Sequence, residues 1–406
     1  MTAASGASSA PARGAARYRW WILAVFVLSS AINYLDRQSL ATLAPVLRAE
    51  FRLSHEDYGW ILGAFSITYA ASAPFAGMVI DRIGLTRAIS LSVGLWSCAG
   101  IATGFTTGLG GLFGCRAALG LAEAAGIPSA GKAIHAYLRP PERALGNAVN
   151  QAGVSLGAIL APPLATWIAV RSGWRMAFVA TGILGLLWIP VWNWAARHSA
   201  PLAKTSTAFP SDTAILRDRR LWAFVAANAL SMVGYSLWTN WTTQYLVDRH
   251  HLTIRQAAWY AWIPPLAAMA GGFAGGWLSL RLMNRGVAAP AARFRVCLAA
   301  AVLSLGTAAI PHAPTAAWAS AGISLAIFAV AAFSVNTYTL PLDTFGGAHA
   351  AFAVSMLVAS YGAIQLVISP AFGAIIDRHG YMPVTAIAAV APLAACAVLW
   401  GTGAVQ

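Results

Sequence analysis

Apolar stretches of about 20 residues or more, each long enough to cross the hydrocarbon core of a bilayer as a helix, recur along the whole chain. They fall at about 20–44, 57–80, 86–107, 110–136, 144–170, 175–196, 221–247, 256–281, 294–311, 316–341, 350–375 and 381–403. Short polar connections join them. Only 9% of the 406 residues are charged and the mean hydropathy is +0.65, whereas soluble domains carry about 25% charged residues. So little charge cannot keep a folded surface in water. Backbone amides in lipid must be paired within their own segment, so the pattern predicts an all-α membrane protein of twelve transmembrane helices.

The connection from Arg197 to Arg220 is the longest and richest in Ser, Thr and charge. It divides the chain into two six-helix bundles, 19–196 and 221–406, joined by a linker at 197–220. Residues 1–18 are expected to form a disordered tail, because residues 1–16 are rich in Ala and Ser with no apolar core and do not read as a cleaved leader. The net charge of +14 would suit nucleic acid, but its placement argues otherwise. Apart from Arg37, Arg116 and Lys132, the Lys and Arg residues sit at span ends or between spans. Those on the side of the termini outnumber the rest by more than two to one. That bias places both termini in the cytoplasm and makes anionic headgroups the partners of the surplus. The cysteines Cys98, Cys115, Cys297 and Cys396 lie in apolar spans without metal-ligand spacing. They read as packing residues, and neither a metal nor a cofactor is expected.

The two halves echo each other. At an offset of 201, Trp21 falls on Trp222, Tyr34 on Tyr235 and Arg37 on Trp238, while Pro163 and Gly173 answer Pro370 and Gly380. Internal repeats of this kind mark many secondary transporters, whose substrate site lies at mid-membrane between the halves.

Charge inside the spans is concentrated in the first half: Asp36 and Arg37 in span one, and Arg116, Glu123 and Lys132 in span four. Lys132 and His135 lie near a helix end and can snorkel. Arg116 and Glu123, seven residues apart, share a helix face at a vertical separation of about 10 Å. Charges at this depth are costly and mark functional sites. The bland alternative is a set of neutralising pairs that fixes helix packing. A structural pair is readily replaced by packed apolar groups, however. A guanidinium fork suits a carboxylate ligand, and carboxylates held out of water can exchange protons near neutral pH. Asp36 and Glu123 are therefore candidate proton carriers.

After span two the chain reads GMVIDRIGLTR, from Gly77 to Arg87. This G-x-x-x-D-R-x-G-x-x-R pattern resembles the signature of the major facilitator superfamily, in which Gly77, Asp81, Arg82, Gly84 and Arg87 would form a gating motif. The second half keeps only a worn copy, GGWLSLRLMNRG. INYLDR in span one and the run from Arg116 to Trp188 are similar to the anion:cation symporter family within it, which includes bacterial hexuronate and galactonate transporters and vertebrate vesicular glutamate and sialic acid transporters.

The resemblance implies proton-coupled import of a small organic anion, such as a sugar acid, by a non-enzymatic, multi-pass protein of the bacterial inner membrane. It implies that Asp36 and Glu123 carry protons, Arg37 meets the substrate carboxylate, Arg116 pairs with Asp36, and Tyr34 and Tyr69 line the cavity. One departure concerns span seven, where WTTQYL puts Gln244 in place of a lysine common in hexuronate-type members. Asn240, Trp241 and Gln244 remain candidate contacts, as do Gln151, Asn336, Tyr361 and Gln365, which could equally hydrogen-bond between helices. A monocarboxylate carrier or an exchanger would use the same arginine. A non-transporting acid sensor would need a signalling domain. No Ser/His/Asp set or zinc motif points to an enzyme. A monomer surrounded by lipid is expected.

Overall fold

A computed structural model describes residues 10–139, 142–199, 213–345 and 347–405. Among them every regular element is helical. The α-helices are α1 (Ala10–Phe51), α2 (His55–Ile83), α3 (Leu85–Thr103), α4 (Leu109–Glu123), α5 (Gly126–Tyr137), α6 (Arg143–Ser172) and α7 (Trp174–Arg197). The second half has α8 (Arg219–His250), α9 (Ile254–Ala261), α10 (Ile263–Met283), α11 (Ala289–Ser304), α12 (Ala316–Phe345), α13 (Gly347–His379) and α14 (Tyr381–Gly401). Among the described residues, eight helices are long and apolar enough to cross a membrane. The first helix begins at Ala10, inside the segment expected to be irregular.

Two expected spans are each split in two, and proline explains both breaks. Proline lacks an amide hydrogen and crowds the carbonyl four residues before it. Pro128 would crowd Ala124, where α4 gives way to α5. Pro264 and Pro265 follow the break at Trp262 between α9 and α10. The α4 break leaves the Ala122 carbonyl without its helical partner, and the Ser92 hydroxyl of α3 donates to it. Elsewhere, capping boxes start α2 (Ser54 with Asp57) and α9 (Thr253 with Gln256).

The repeat seen in the sequence has a structural counterpart. Pro163 lies inside α6 and Pro370 inside α13. Gly173 and Gly380 are the single residues between α6 and α7 and between α13 and α14, with φ of 86° and 73°. That left-handed conformation suits glycine. Helices α1–α7 form one bundle and α8–α14 the other. They meet along two related seams, α2 against α13 and α6 against α9 and α10, with α1 against α8 between them.

The cores show which side is shut. An even number of crossings puts both chain termini on one face. Towards that face each bundle has its own core, Ile22, Phe26, Trp96 and Trp192 in the first and Phe224, Phe333 and Leu399 in the second. Towards the far face a single core runs through both bundles, from Leu43, Tyr58 and Trp174 to Trp241, Tyr245 and Phe372. The bundles are packed together at the far face.

Candidate functional site

Consecutive helix residues point about 100° apart, and this separates Asp36 from Arg37. Arg37 turns into a partly open cavity lined by α1, α2, α3, α5 and α6 together with Glu123 at the end of α4. Its Nε donates to Glu123 Oε2 at 3.1 Å, and its Nη2 makes a direct ion pair with the same oxygen. The guanidinium lies over the rings of Phe65, Tyr34 and Tyr69, at 4.5, 5.0 and 5.7 Å from their centroids. Its side chain is 24% exposed, whereas that of Glu123 is fully buried. The arginine thus meets the cavity while its carboxylate partner sits behind it.

Asp36 turns the other way, into the bundle. Thr181 of α7 donates to its Oδ1 at 2.8 Å. Gly100 of α3 makes room for it, since a Cβ there would come 3.1 Å from the same oxygen. Arg116 is the cation whose charge bears most on Asp36, without a direct ion pair between them, and it lies 5.9 Å from the Phe178 ring. Asp36 Oδ2 and Glu123 Oε1 are buried with no hydrogen-bond partner. Each carboxylate therefore keeps one oxygen on which a proton could rest.

The structure distributes the remaining sequence candidates over several places. Tyr34 and Tyr69 line the cavity. Tyr361 of α13 packs edge-on against Tyr235 of α8 at 6.0 Å and lies within electrostatic range of Tyr34 and Arg37 across the bundle boundary. Gln365 is buried one turn further along α13, and Gln151 is exposed beside Asn150, which lines the cavity. Asn336 donates its amide to the carbonyls of Gly275 and Ala332, tying α12 to α10. Asn240, Trp241 and Gln244 sit in the shared far-face core and do not line this cavity. The Asn240 carbonyl accepts from Tyr58, Trp241 is wedged against His55 and Tyr58, and Gln244 accepts from Arg48 at 3.0 Å. In the gating motif, Arg82 and Arg87 are exposed and Gly84 makes the turn between α2 and α3 with φ of 81°. Gly77 lies within α2, and the side chain of Asp81 falls outside the described residues.

Ser29, Ser30, Asn33 and Asn150 line the cavity and were not anticipated. Ser30 and Asn33 lie seven and four residues before Arg37, a spacing that puts them on its face of α1. Ser30 donates to Asn150 Oδ1 at 2.8 Å, joining α1 to α6.

Two helical bundles packed together on one face, the first holding a buried charge set beside a partly open cavity, define a membrane transporter rather than an enzyme. The family model described as Major Facilitator Superfamily matches residues 26–357, and the chain belongs to that family. It is 29% identical to the hexuronate transporter of Escherichia coli K12, with 94% of this chain and 93% of that protein covered. It is also 29% identical to the galacturonate transporter of Dickeya chrysanthemi, over 64% of this chain and 81% of that one. Among solved structures, a bacterial homologue of the lysosomal transporter Spinster, inward-facing and occupied, superposes with a TM-score of 0.78 at 20% identity, covering 96% of this chain and 97% of that one. The D-xylose–proton symporter does so with 0.74 at 16%, covering 94% and 97%.

Proposed function

We propose that this protein imports a sugar acid of the hexuronate or aldonate type together with protons, as a monomer in the bacterial inner membrane with both termini in the cytoplasm. The observation that carries the reading is Arg37. It is a largely buried guanidinium facing a cavity, and its partner Glu123 can release it by taking a proton. The names of the relatives support a sugar acid as cargo, and the surplus of Lys and Arg on the terminal face supports the orientation.

In the proposed cycle Asp36 and Glu123 load protons from the periplasm, and the freed Arg37 binds the substrate carboxylate. Tyr34, Tyr69, Tyr361 and Ser30 present hydroxyl groups to the sugar. The bundles then close at the periplasmic face and part at the cytoplasmic face. Anion and protons leave, and Arg37 re-forms its pair with Glu123. The conformation described here, closed on the far face with that pair made, corresponds to the state after release.

Uptake of labelled galacturonate and gluconate into proteoliposomes tests the reading. Accumulation should follow an inward proton gradient and collapse with an uncoupler. Equal accumulation without the gradient would leave an exchanger, and no saturable uptake of either acid would remove the assigned cargo.

A further inference from the structure

Asp36 faces away from the cavity that Arg37 meets, so a proton that it carries needs its own way out. The carboxyl lies where α1, α3 and α7 come together, with Thr181 of α7 donating to Oδ1 and Gly100 of α3 leaving it room. Helix α3 starts and α7 ends on the face of the chain termini. One turn from Gly100 and from Thr181, towards that face, the two helices meet again at Ser97 and Gly185. A Cβ on Gly185 would strike Ser97 Oγ and come 3.6 Å from Trp96 Nε1. Both of these atoms, like Asp36 Oδ2, are buried with no hydrogen-bond partner among the described residues. Trp96 also borders the Arg37 cavity, whose lining continues past Asn33 and Ser30 to Phe26 of α1 and Asn150 of α6, towards the terminal face.

Close packing of α3 on α7 needs only a small residue at 97, and alanine would serve. A hydroxyl placed where no protein group answers it calls for a different partner. Buried polar groups of this kind are satisfied by internal water, which needs at least two polar partners. A helical turn rises about 5 Å, a gap that one water spans. An ionised carboxylate oxygen accepts, a hydroxyl both donates and accepts, and an indole N–H only donates. One water between Asp36 and Ser97 satisfies both, and Trp96 can hold the oxygen of a second. The charged groups in electrostatic range of Asp36 are Arg37, Arg116 and Glu123. The two guanidiniums have no lone pair to take a proton, and Glu123 is engaged by Arg37. The α3 and α7 residues at this place, Trp96, Ser97, Gly100, Thr181 and Gly185, are uncharged.

We propose that Ser97 relays the Asp36 proton towards the terminal face through the interior of the first bundle, apart from the substrate's route. The Asp36 O–H bond breaks and its proton passes through the bridging water to Ser97 Oγ. In the same step Ser97 gives its own hydroxyl proton to a water on the Trp96 side. The hydroxyl is restored, and the carboxylate left behind faces Arg116. Trp96 positions the receiving water and transfers nothing itself. The relay rests on the proton role proposed for Asp36. With the far face packed shut, release runs towards the terminal face.

Rapid-mixing infrared spectroscopy of the whole chain in lipid nanodiscs tests the relay. The C=O band of protonated Asp36 is the one that Asp36→Asn lacks. After a jump from acid to alkaline pH this band should decay roughly tenfold more slowly in Ser97→Ala than in the native protein, the kinetic weight of one charge-assisted hydrogen bond. The end point should be the native one, because a relay changes rates and not equilibria. Uptake driven by a proton gradient should fall with the rate, and counterflow by much less. Gly185→Ala displaces the Ser97 hydroxyl and should slow the decay as well. Gly185→Ala combined with Ser97→Ala relieves that contact, so it should regain thermal stability without regaining the rate. A native decay rate in Ser97→Ala overturns the relay alone, and so does a rate restored in the double variant, which would make the contact one of packing. A native protein without an Asp36 band at any pH overturns the relay together with the proton role of Asp36.

Discussion

Arg37 of α1 and Glu123 of α4 form a direct ion pair at the point where the fourth span stops being helical. The break places the carboxylate at the end of a helix, behind a guanidinium that also faces the cavity. Removing the arginine alone strands a fully buried carboxylate, which costs about 3–5 kcal/mol when such a pair is broken. Arg37→Ala should therefore lower the thermal midpoint and abolish uptake. Arg37→Ala combined with Glu123→Gln should recover most of the stability and none of the uptake, because contacting residues do not contribute additively. Differential scanning fluorimetry with an uptake assay checks both. A double variant as unstable as the single one would mean that the two side chains are not energetically paired.

Asp36 has a different environment and a different expected phenotype. Asn at this position keeps the volume and can still accept from Thr181, so stability should change by no more than about 1 kcal/mol. Uphill accumulation should be lost while counterflow of substrate down its own gradient persists. An Asp36→Asn protein that still concentrates substrate against a gradient would end the proton assignment.

Much of this arrangement can be read from the chain before folding. Apolar length is a local property, so the spans declare themselves. Adjacent Asp36 and Arg37 cannot share a helix face, and their seven- and four-residue neighbours Ser30 and Asn33 follow Arg37. The break after Glu123 also has a local signal in Pro128. Depth and register between helices are tertiary and do not show. Asn240, Trp241 and Gln244 read as substrate contacts because they are polar or aromatic within a span. Their place at the far-face seam is set by how α8 packs against α1 and α2. His55 looks ordinary in sequence, being a histidine at the start of a span. Its partners Asp248 and Asp377 are far away in the chain, and only the packed bundles bring them together.

The Ser92 hydroxyl, donating to the Ala122 carbonyl, is a small bond at a consequential place. Ser92→Ala would leave a buried carbonyl unpaired at the α4 break, at a cost of about 1–3 kcal/mol. The carbonyl belongs to the residue before Glu123, so substrate affinity should also weaken, with little change elsewhere. Isothermal titration of the purified protein separates this from a global loss. Unchanged affinity with lowered stability would limit Ser92 to a structural role.

The α2–α13 seam offers a test of whether far-face closure limits the cycle. A Cβ at Gly59 would strike the backbone of Ser369 and Pro370, coming 2.6 Å from Pro370 Cα, whereas a Cβ at Gly63 would meet the Leu366 side chain at an ordinary 3.5 Å. Backbone cannot step aside as a side-chain tip can, and overpacking of this kind typically costs about 1–3 kcal/mol. That cost falls only on the closed conformation, because the two helices part when the far face opens. Gly59→Ala should therefore shift the population towards far-face-open molecules by roughly tenfold or more, since about 1.4 kcal/mol changes a ratio tenfold. Maximal uptake should fall, while the thermal midpoint moves little. Gly63→Ala, on the same helix one turn further in, should behave as the native protein. The measurement is the distance distribution between spin labels placed on the two bundles at the far face, together with the maximal rate. If both alanine variants close as readily as the native protein, the tight α2–α13 contact is not what holds the far face shut.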